Sequence, residues 1–488
     1  MLCCKSLLII ILRIMRKLLL IFLAHFICSF NFYGEGKHFV GADNLGEEGN
    51  GSGQSVVADK FGNVYTLGVF EGVLDFDSGD EVLNLYSTGG KDVFIQKTDS
   101  NGVFIWAKSF GGEDDDYGNG LALDKNNDII IVGSFSKVVD FNFDEDIKEM
   151  ISKGSEDIFI QKVSAEGRFV WVKAMGGRFS DYGMSVAIDN ENNIYTTGSF
   201  SLTVDFNEDV IKHEMTSLGN SDVFIQKINE KGEFIWAKSI GGLGFDYGAS
   251  IQVDEHENVY VTGAYEGKVD FDPSEENSNF YLAKGGSDLF VEKLDLDGDL
   301  VWTQSIGGTQ NEAGFSLALD EKQQVYITGF FKGLIEFRNA EKEYKFKSKG
   351  KEDIITFKQD TEGNIVWLKT LGGKGSDFGN SIYVDLHGDV FTTGSFSLTV
   401  DFNPGKDGYN LKSSGKEDVF VQKLNNNGDF EWAEKIGGEG HDFGYSIFVD
   451  YKSEIYTTGS FERIVTIQLA DETKRLSSKG MEDVFIVK

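Results

Sequence analysis

Residues 157–200 read DIFIQKVSAEGRFVWVKAMGGRFSDYGMSVAIDNENNIYTTGSF. Short runs rich in Ile, Val, Phe, Tyr and Thr alternate with polar connections holding Gly or Asn, the pattern of strands joined by tight turns. One structural unit is predicted to hold four strands: 184–189 first, 194–200 second, 157–162 third and 168–174 fourth. The Asn-Glu-Asn-Asn at 190–193 makes the turn between the first two, and a turn with Gly167 joins the last two. No segment beyond the first thirty residues carries a helical period.

Working outward, the same stretch returns at a fixed interval. Trp106, Trp171, Trp236, Trp302, Trp367 and Trp432 are spaced by 65, 65, 66, 65 and 65 residues. The pattern Asp-aliphatic-x-x-x-Lys recurs seven times, from Asp92/Lys97 to Asp483/Lys488. An Asp closes each first strand, at Asp59, Asp124, Asp189, Asp254, Asp320, Asp385 and Asp450. The single extra residue falls between Asp270 and Asp288. Four antiparallel strands repeated seven times predict an all-β fold, a seven-bladed β-propeller. A solenoid is the structural alternative, but it needs distinct capping repeats. His38-Phe39-Val40 stands where a fourth strand should sit, and the last unit stops after its third strand. The N-terminal strand is therefore expected to join the last blade, closing the ring without an open seam.

At this point the chain resembles a known family. The recurring DVFIQK…G.F.WAKS.GG…DYG.S…D…N.YTTGSF…VDF is similar to the SBBP β-propeller repeat of bacterial secreted and cell-surface proteins, over about residues 38–488. The resemblance implies an exported, usually non-enzymatic propeller of the kind found in Bacteroidetes-like bacteria.

Composition narrows the partners. The 488 residues include 46 basic and 79 acidic side chains, a net charge of -33, which argues against nucleic acid and anionic membranes. Cations, neutral sugars and other proteins remain. All three cysteines (Cys3, Cys4, Cys28) lie in the first thirty residues with Lys5, Arg13, Arg16 and Lys17. Residues 18–30 form an apolar run shorter than the ~20 residues that span a bilayer. The expectation is a signal peptide over 1–30 with initiation at Met1 or Met15, a connecting segment over 31–37, and one propeller over 38–488. Lipid attachment at Cys28 is an alternative. Cleavage would leave no cysteine and 42 basic against 79 acidic residues, a charge of -37.

The connections from second to third strand are long and acidic, with Asp75-Phe76-Asp77, Asp140-Phe141-Asn142, Asp205-Phe206-Asn207, Asp270-Phe271-Asp272 and Asp401-Phe402-Asn403. The face that carries them is the expected binding face. Asp75, Asp77 and Asp80 have the flavour of a calcium loop without its full ligand spacing, so calcium and a solvated acidic turn both stand as readings. Asp116, Asp181, Asp246, Glu312, Asp377 and Asp442 end the Gly-Gly-x-x-x-acid stretch before each first strand. They are candidate ligands as a carboxylate ring at the channel mouth, or else acceptors for the backbone N–H groups of their own turns. The six Trp are read as packing between neighbouring blades, although a Gly-x-x-x-Trp repeat also resembles the docking motif of quinoprotein dehydrogenases.

No catalytic motif appears. His38, His213, His256, His387 and His441 fall at unrelated phases of the repeat, and no cofactor ligand set is distinctive. Departures from the repeat occur in the fifth unit (Glu336-Phe337-Arg338, then Lys342, Lys345, Lys347, Lys349 and Lys351) and in the seventh (Thr466-Ile467-Gln468). The first expectation is a monomeric, exported interaction propeller binding a protein or cell-envelope polysaccharide. The second is a multivalent lectin, and the third a quinoprotein-like or glycosidase enzyme.

Overall fold

The computed structural model describes residues 38–488, apart from 78, 80, 145, 208–210, 275–276, 340–341 and 406–407. The proposed signal peptide and connecting segment lie outside the described residues. Every described element is a β-strand. Among the described residues no helix is long and apolar enough to cross a membrane.

Each unit is an antiparallel sheet in the predicted order. In the second unit Tyr117–Leu123 pairs with Ile129–Asp140, which pairs with Glu149–Val163, which pairs with Phe169–Met175. The innermost strands of the seven units are Asn50–Ala58, Tyr117–Leu123, Tyr182–Ile188, Tyr247–Val253, Glu312–Leu319, Phe378–Val384 and Asp442–Val449. Each of them contacts the innermost strand of the unit before and after, and the seventh contacts the first. This is a β-propeller arrangement of sheets around an axis. Ala42–Leu45 completes the last sheet by pairing with Asp483–Val487, Ala42 opposite Val487 and Leu45 opposite Val484.

The second and third strands run further than their sequence suggests. The predicted loops continue as β-ladders, for example Thr399–Asp401 against Asn410–Lys412, beyond a register shift. The first, third and seventh units carry the same ladder as a separate or extended hairpin. The cause is the Asp-Phe pair. Phe76, Phe141, Phe206, Phe271 and Phe402 are buried in the blade interior, so each long connection is pinned at its base. The preceding Asp then accepts two backbone N–H bonds across the loop, as Asp140 Oδ1 does from Asn142 and Lys148. In the fifth unit Lys345, Lys347, Lys349 and Lys351 are exposed, while Tyr344 stacks on Phe337 at 5.0 Å.

Neighbouring units are joined at the outer strand by the tryptophans. The Trp171, Trp236, Trp302 and Trp367 indoles donate to the backbone carbonyls of Glu230, Leu296, Thr361 and Asn426 in the turn of the next unit. The turn must carry glycine for two reasons. Gly167 has φ +77°, and a Cβ there would lie 2.9 Å from the Trp106 ring. Trp432 stacks on His38 at 4.1 Å. Trp106 stands opposite Lys97, and Gly41 holds the same register opposite Lys488. The last junction therefore lacks its indole, and a cleft of about 70 Å³ lies there between Gly41, Gly102 and Tyr456.

A Cβ at Gly41 meets nothing within 4 Å. Gly41→Trp is expected to fill the cleft against the Gly102 turn and to stabilise the protein by about 1 kcal/mol, measured by denaturant unfolding. An unchanged or lowered midpoint would show that the cleft does not accept the ring.

Candidate functional site

The site begins with a turn. Between the fourth strand of one unit and the first of the next, the Gly-Gly corner needs acceptors for its N–H groups, and the following acidic residue supplies them. Asp116 Oδ2 accepts from Gly112 at 2.7 Å and Oδ1 from Ser136 at 2.9 Å. Asp181, Asp246, Asp377 and Asp442 repeat both bonds, and Glu312 accepts from Gly308 at 2.6 Å. All six side chains are at most 1% exposed, and none lines the axial cavity. The carboxylate ring expected at the channel mouth is thus replaced by six separate buried staples.

Each staple faces a second carboxyl, the Asp that starts the third strand of the preceding unit. The pairs are Asp92/Asp116, Asp157/Asp181, Asp222/Asp246, Asp288/Glu312, Asp353/Asp377 and Asp418/Asp442. The first Gly of the corner gives this Asp its room: a Cβ at Gly111 would lie 2.3 Å from the Asp92 carboxyl. Burial, reinforced by the facing carboxyl and opposed by the N–H bonds, pushes Asp116, Asp181, Asp246 and Asp442 up to about 7. The same burial raises Asp92, Asp222, Asp288 and Asp353 to about 6.

The turn at the other end of the first strand is built alike. Each closing Asp accepts the N–H groups two and four residues on, as Asp189 does from Glu191 and Asn193, in all seven units. The calcium-loop candidates serve the same purpose in their hairpin. Asp75 Oδ1 accepts from Asp77 and Leu83, and Asp77 Oδ1 from Gly79. Asp80 lies outside the described residues. Among the described residues no three His, Cys, Asp or Glu side chains come together as a metal site.

Between the two turns runs the innermost strand, and here the structure shows what the sequence reading passed over. In every unit the ladder slips by one residue after the Gly of the Asp-Tyr/Phe-Gly corner. The extra residue of this β-bulge has no partner across the ladder, and bulges of this kind re-aim a side chain. The seven are Gln54, Asn119, Met184, Ala249, Phe315, Asn380 and Tyr445. All seven line a cavity of about 500 Å³ on the axis, and all are partly exposed to it. The serine that follows ties the units together there. Ser185, Ser250, Ser316, Ser381 and Ser446 accept N–H bonds from Ile251, Leu317, Ile382, Ile447 and Val56 of the next unit. The signal was present in the sequence, because this position, between the corner Gly and the residue that is Ser in six of the seven copies, takes six different residue types in seven copies.

One further departure is internal. Gln96, Gln161, Gln226 and Gln422 of the third strands donate their amides to the carbonyls of the hairpin Phe76, Phe141, Phe206 and Phe402. The fourth unit has Glu292 at this position, fully buried, with neither carboxyl oxygen in a well-formed hydrogen bond. Burial first, then the Asp272 carboxylate, holds its pKa well above the ordinary glutamate range, with the Thr303 hydroxyl opposing. A neutral Glu292 is close to an isostere of the glutamines.

No protein-family model matches the chain. An uncharacterized WD repeat-containing protein of Acanthamoeba polyphaga mimivirus is 24% identical over 441 residues, 75% of this chain and 32% of that one. The regulatory protein FlaEY of Caulobacter vibrioides is 22% identical over 188 residues, 37% of this chain and 19% of that one. The chain thus spans a third or less of the length of these curated relatives. Among solved structures, the Pan2 WD40 domain of Neurospora crassa is similar with a TM-score of 0.38 and 7% identity, covering 92% of this chain and 97% of that one.

Two predictions follow from the buried carboxyls. A group near 3.8 when unfolded and 6–7 when folded gives stability that is complete below the unfolded value and lost as pH rises through the folded one. The unfolding temperature is therefore expected to fall between about pH 4 and pH 7 in scanning calorimetry and to level off above, and a rise over that interval would contradict the assignment. Glu292→Gln restores the amide and is expected to stabilise the fold by about 1–3 kcal/mol near pH 8 and by less near pH 5. Equal effects at both would show that Glu292 does not carry a proton.

Proposed function

We propose that this chain is an exported, non-catalytic β-propeller of seven blades, closed by its N-terminal strand, that holds a protein or cell-envelope polymer against its long-hairpin face. Pairing of Ala42–Leu45 with Asp483–Val487 and the return of the seventh inner strand to the first support the closed ring. The leader-like first thirty residues, and the confinement of cysteine to them, support export. The SBBP-like repeat is consistent with both.

One observation carries the choice of face. The hairpins between second and third strands display large apolar side chains among their carboxylates: Val82 is 68% exposed, Ile147 76%, Ile211 76% and Leu282 70%. One such residue is ordinary, but Val82 and Ile147 stand seven residues after their hairpin Asp, Ile211 six and Leu282 twelve, so four successive blades each expose an apolar side chain on this hairpin, a surface of the kind that partners cover. Repetition also lets weak contacts act together.

The test is capture of extracellular and envelope material on the immobilised chain lacking residues 1–37. Wild type is expected to retain a partner, and Ile147→Ser/Ile211→Ser/Leu282→Ser is expected to lose most of it with an unchanged fold. Equal retention by the triple variant would move the binding surface elsewhere.

A further inference from the structure

We propose that the axial cavity is a binding site for a neutral saccharide, separate from the hairpin face and independent of its role. Charged residues make up 26% of the chain, and the net charge is -33. Yet the cavity wall contains no Asp, Glu, Lys, Arg or His. A solvent-filled channel has no reason to avoid charge, whereas a site for an uncharged ligand gains by it, since a charge facing the ligand would lose hydration without a partner. The volume of about 500 Å³ falls within the ~300–1,000 Å³ of small-molecule sites.

The wall is also polarised around the ring. Phe315, Tyr383, Tyr445 and Phe448 come from the fifth, sixth and seventh units, and each ring contacts another aromatic ring. Phe315 packs on Phe330 at 5.3 Å, Tyr383 on Phe448 at 4.9 Å, and Tyr445 on Phe443 at 6.1 Å. Gln54 and Asn119 come from the first and second units, and Gln252 and Asn380 add amides from the fourth and sixth. Asn119 and Asn380 donate through Nδ2 to the carbonyls of Gly183 and Gly444 at 2.8 Å, which fixes each amide plane. Asn380 so held still has its carbonyl oxygen and one N–H, a planar donor–acceptor pair that matches two neighbouring hydroxyls, while Asn119 Nδ2 also contacts Met184 Sδ and offers its carbonyl oxygen. Flat aromatic faces accept the polarised C–H groups of a sugar ring. Met184 and Ala249 place no ring at the bulge of the third and fourth units.

The ring backbone repeats while these seven side chains do not. The bulge explains how both hold, because a residue outside the ladder can change without disturbing the sheet.

The experiment is saturation-transfer NMR on the chain lacking residues 1–37, with cellobiose, maltose, lactose and N,N′-diacetylchitobiose as probes and glucuronate and glucosamine as charged comparators. Transfer to at least one neutral disaccharide is expected, at least about fivefold stronger than to either charged sugar. Phe315→Ala and Tyr445→Ala are expected to weaken it about tenfold, Ala249→Trp to abolish it by filling the axis, and the nearly isosteric Asn119→Asp to reduce it with no change in volume. The capture assay on the hairpin face is expected to be unaffected by Ala249→Trp, so the two readings fail separately. No transfer to any neutral sugar, transfer indifferent to Ala249→Trp and Asn119→Asp in folded protein, or preference for an unstructured peptide over every sugar would each overturn the proposal.

Discussion

The buried carboxyl beneath each Gly-Gly corner is the constraint on which the rest depends. One oxygen holds the corner where the chain leaves the outer edge of a unit, and the other holds the end of the second strand in the next unit. A single side chain thus fixes both the path between units and the starting point of the innermost strand. The corner needs glycine because the facing Asp occupies the space of a Cβ, and the facing carboxyl in turn raises the proton affinity of the first. The cost of burying two acids together is accepted at six junctions. At the seventh, Gly51 stands where the staple would be and Asp483 takes its N–H bonds from Lys479 and Gly480. That junction differs from the others three times over: it lacks the staple, lacks the indole, and is made by two ends of the chain.

The tryptophans, the glycine turns and the Lys–Tyr contacts form a second layer of joints farther from the axis. Lys97, Lys227, Lys293 and Lys358 sit 4.7–5.0 Å from the Tyr65, Tyr195, Tyr260 and Tyr326 rings, and each of these Tyr, except where geometry is long at Tyr65, bonds its closing Asp within 3.1 Å. Lys227 and Lys358 also meet the carboxylates of Glu257 and Asp320, and Lys97 the carbonyl of Ala165, which is how a basic residue is kept near the interior. The apolar core is correspondingly divided into clusters that straddle neighbouring units, such as Tyr65, Val93 and Phe110 with Ile131, Phe141 and Phe159. Stability is therefore a property of adjacent pairs of units.

Much of this was legible in the sequence, and the reason is periodicity. The spacing of Trp106 to Trp432 gave the unit, the Ile/Val/Phe/Tyr runs gave the strands, and Asp189 with Asn190 to Asn193 gave the turn. What was not legible has physical causes. The acid of the Gly-Gly stretch reads either as a channel ligand or as an acceptor for its own turn; the structure shows the second, with Asp116 enclosed. The Asp-Phe segments read as loops because their acids and glycines favour turns, whereas Phe76 and its counterparts are anchored inside. The bulge residues were missed because a search for repeats attends to what is constant, and Gln54, Met184 and Tyr445 are what varies.

That variation gives the inner strand a further meaning. Seven positions, one per unit, face a common space and take no part in strand pairing, so each can be exchanged while sheet, staple and serine contact stay as they are. The architecture separates the part of the molecule that must be copied faithfully from the part that is free to be rewritten. New specificities can accumulate there one side chain at a time, without altering the strand pairing that repeats around them.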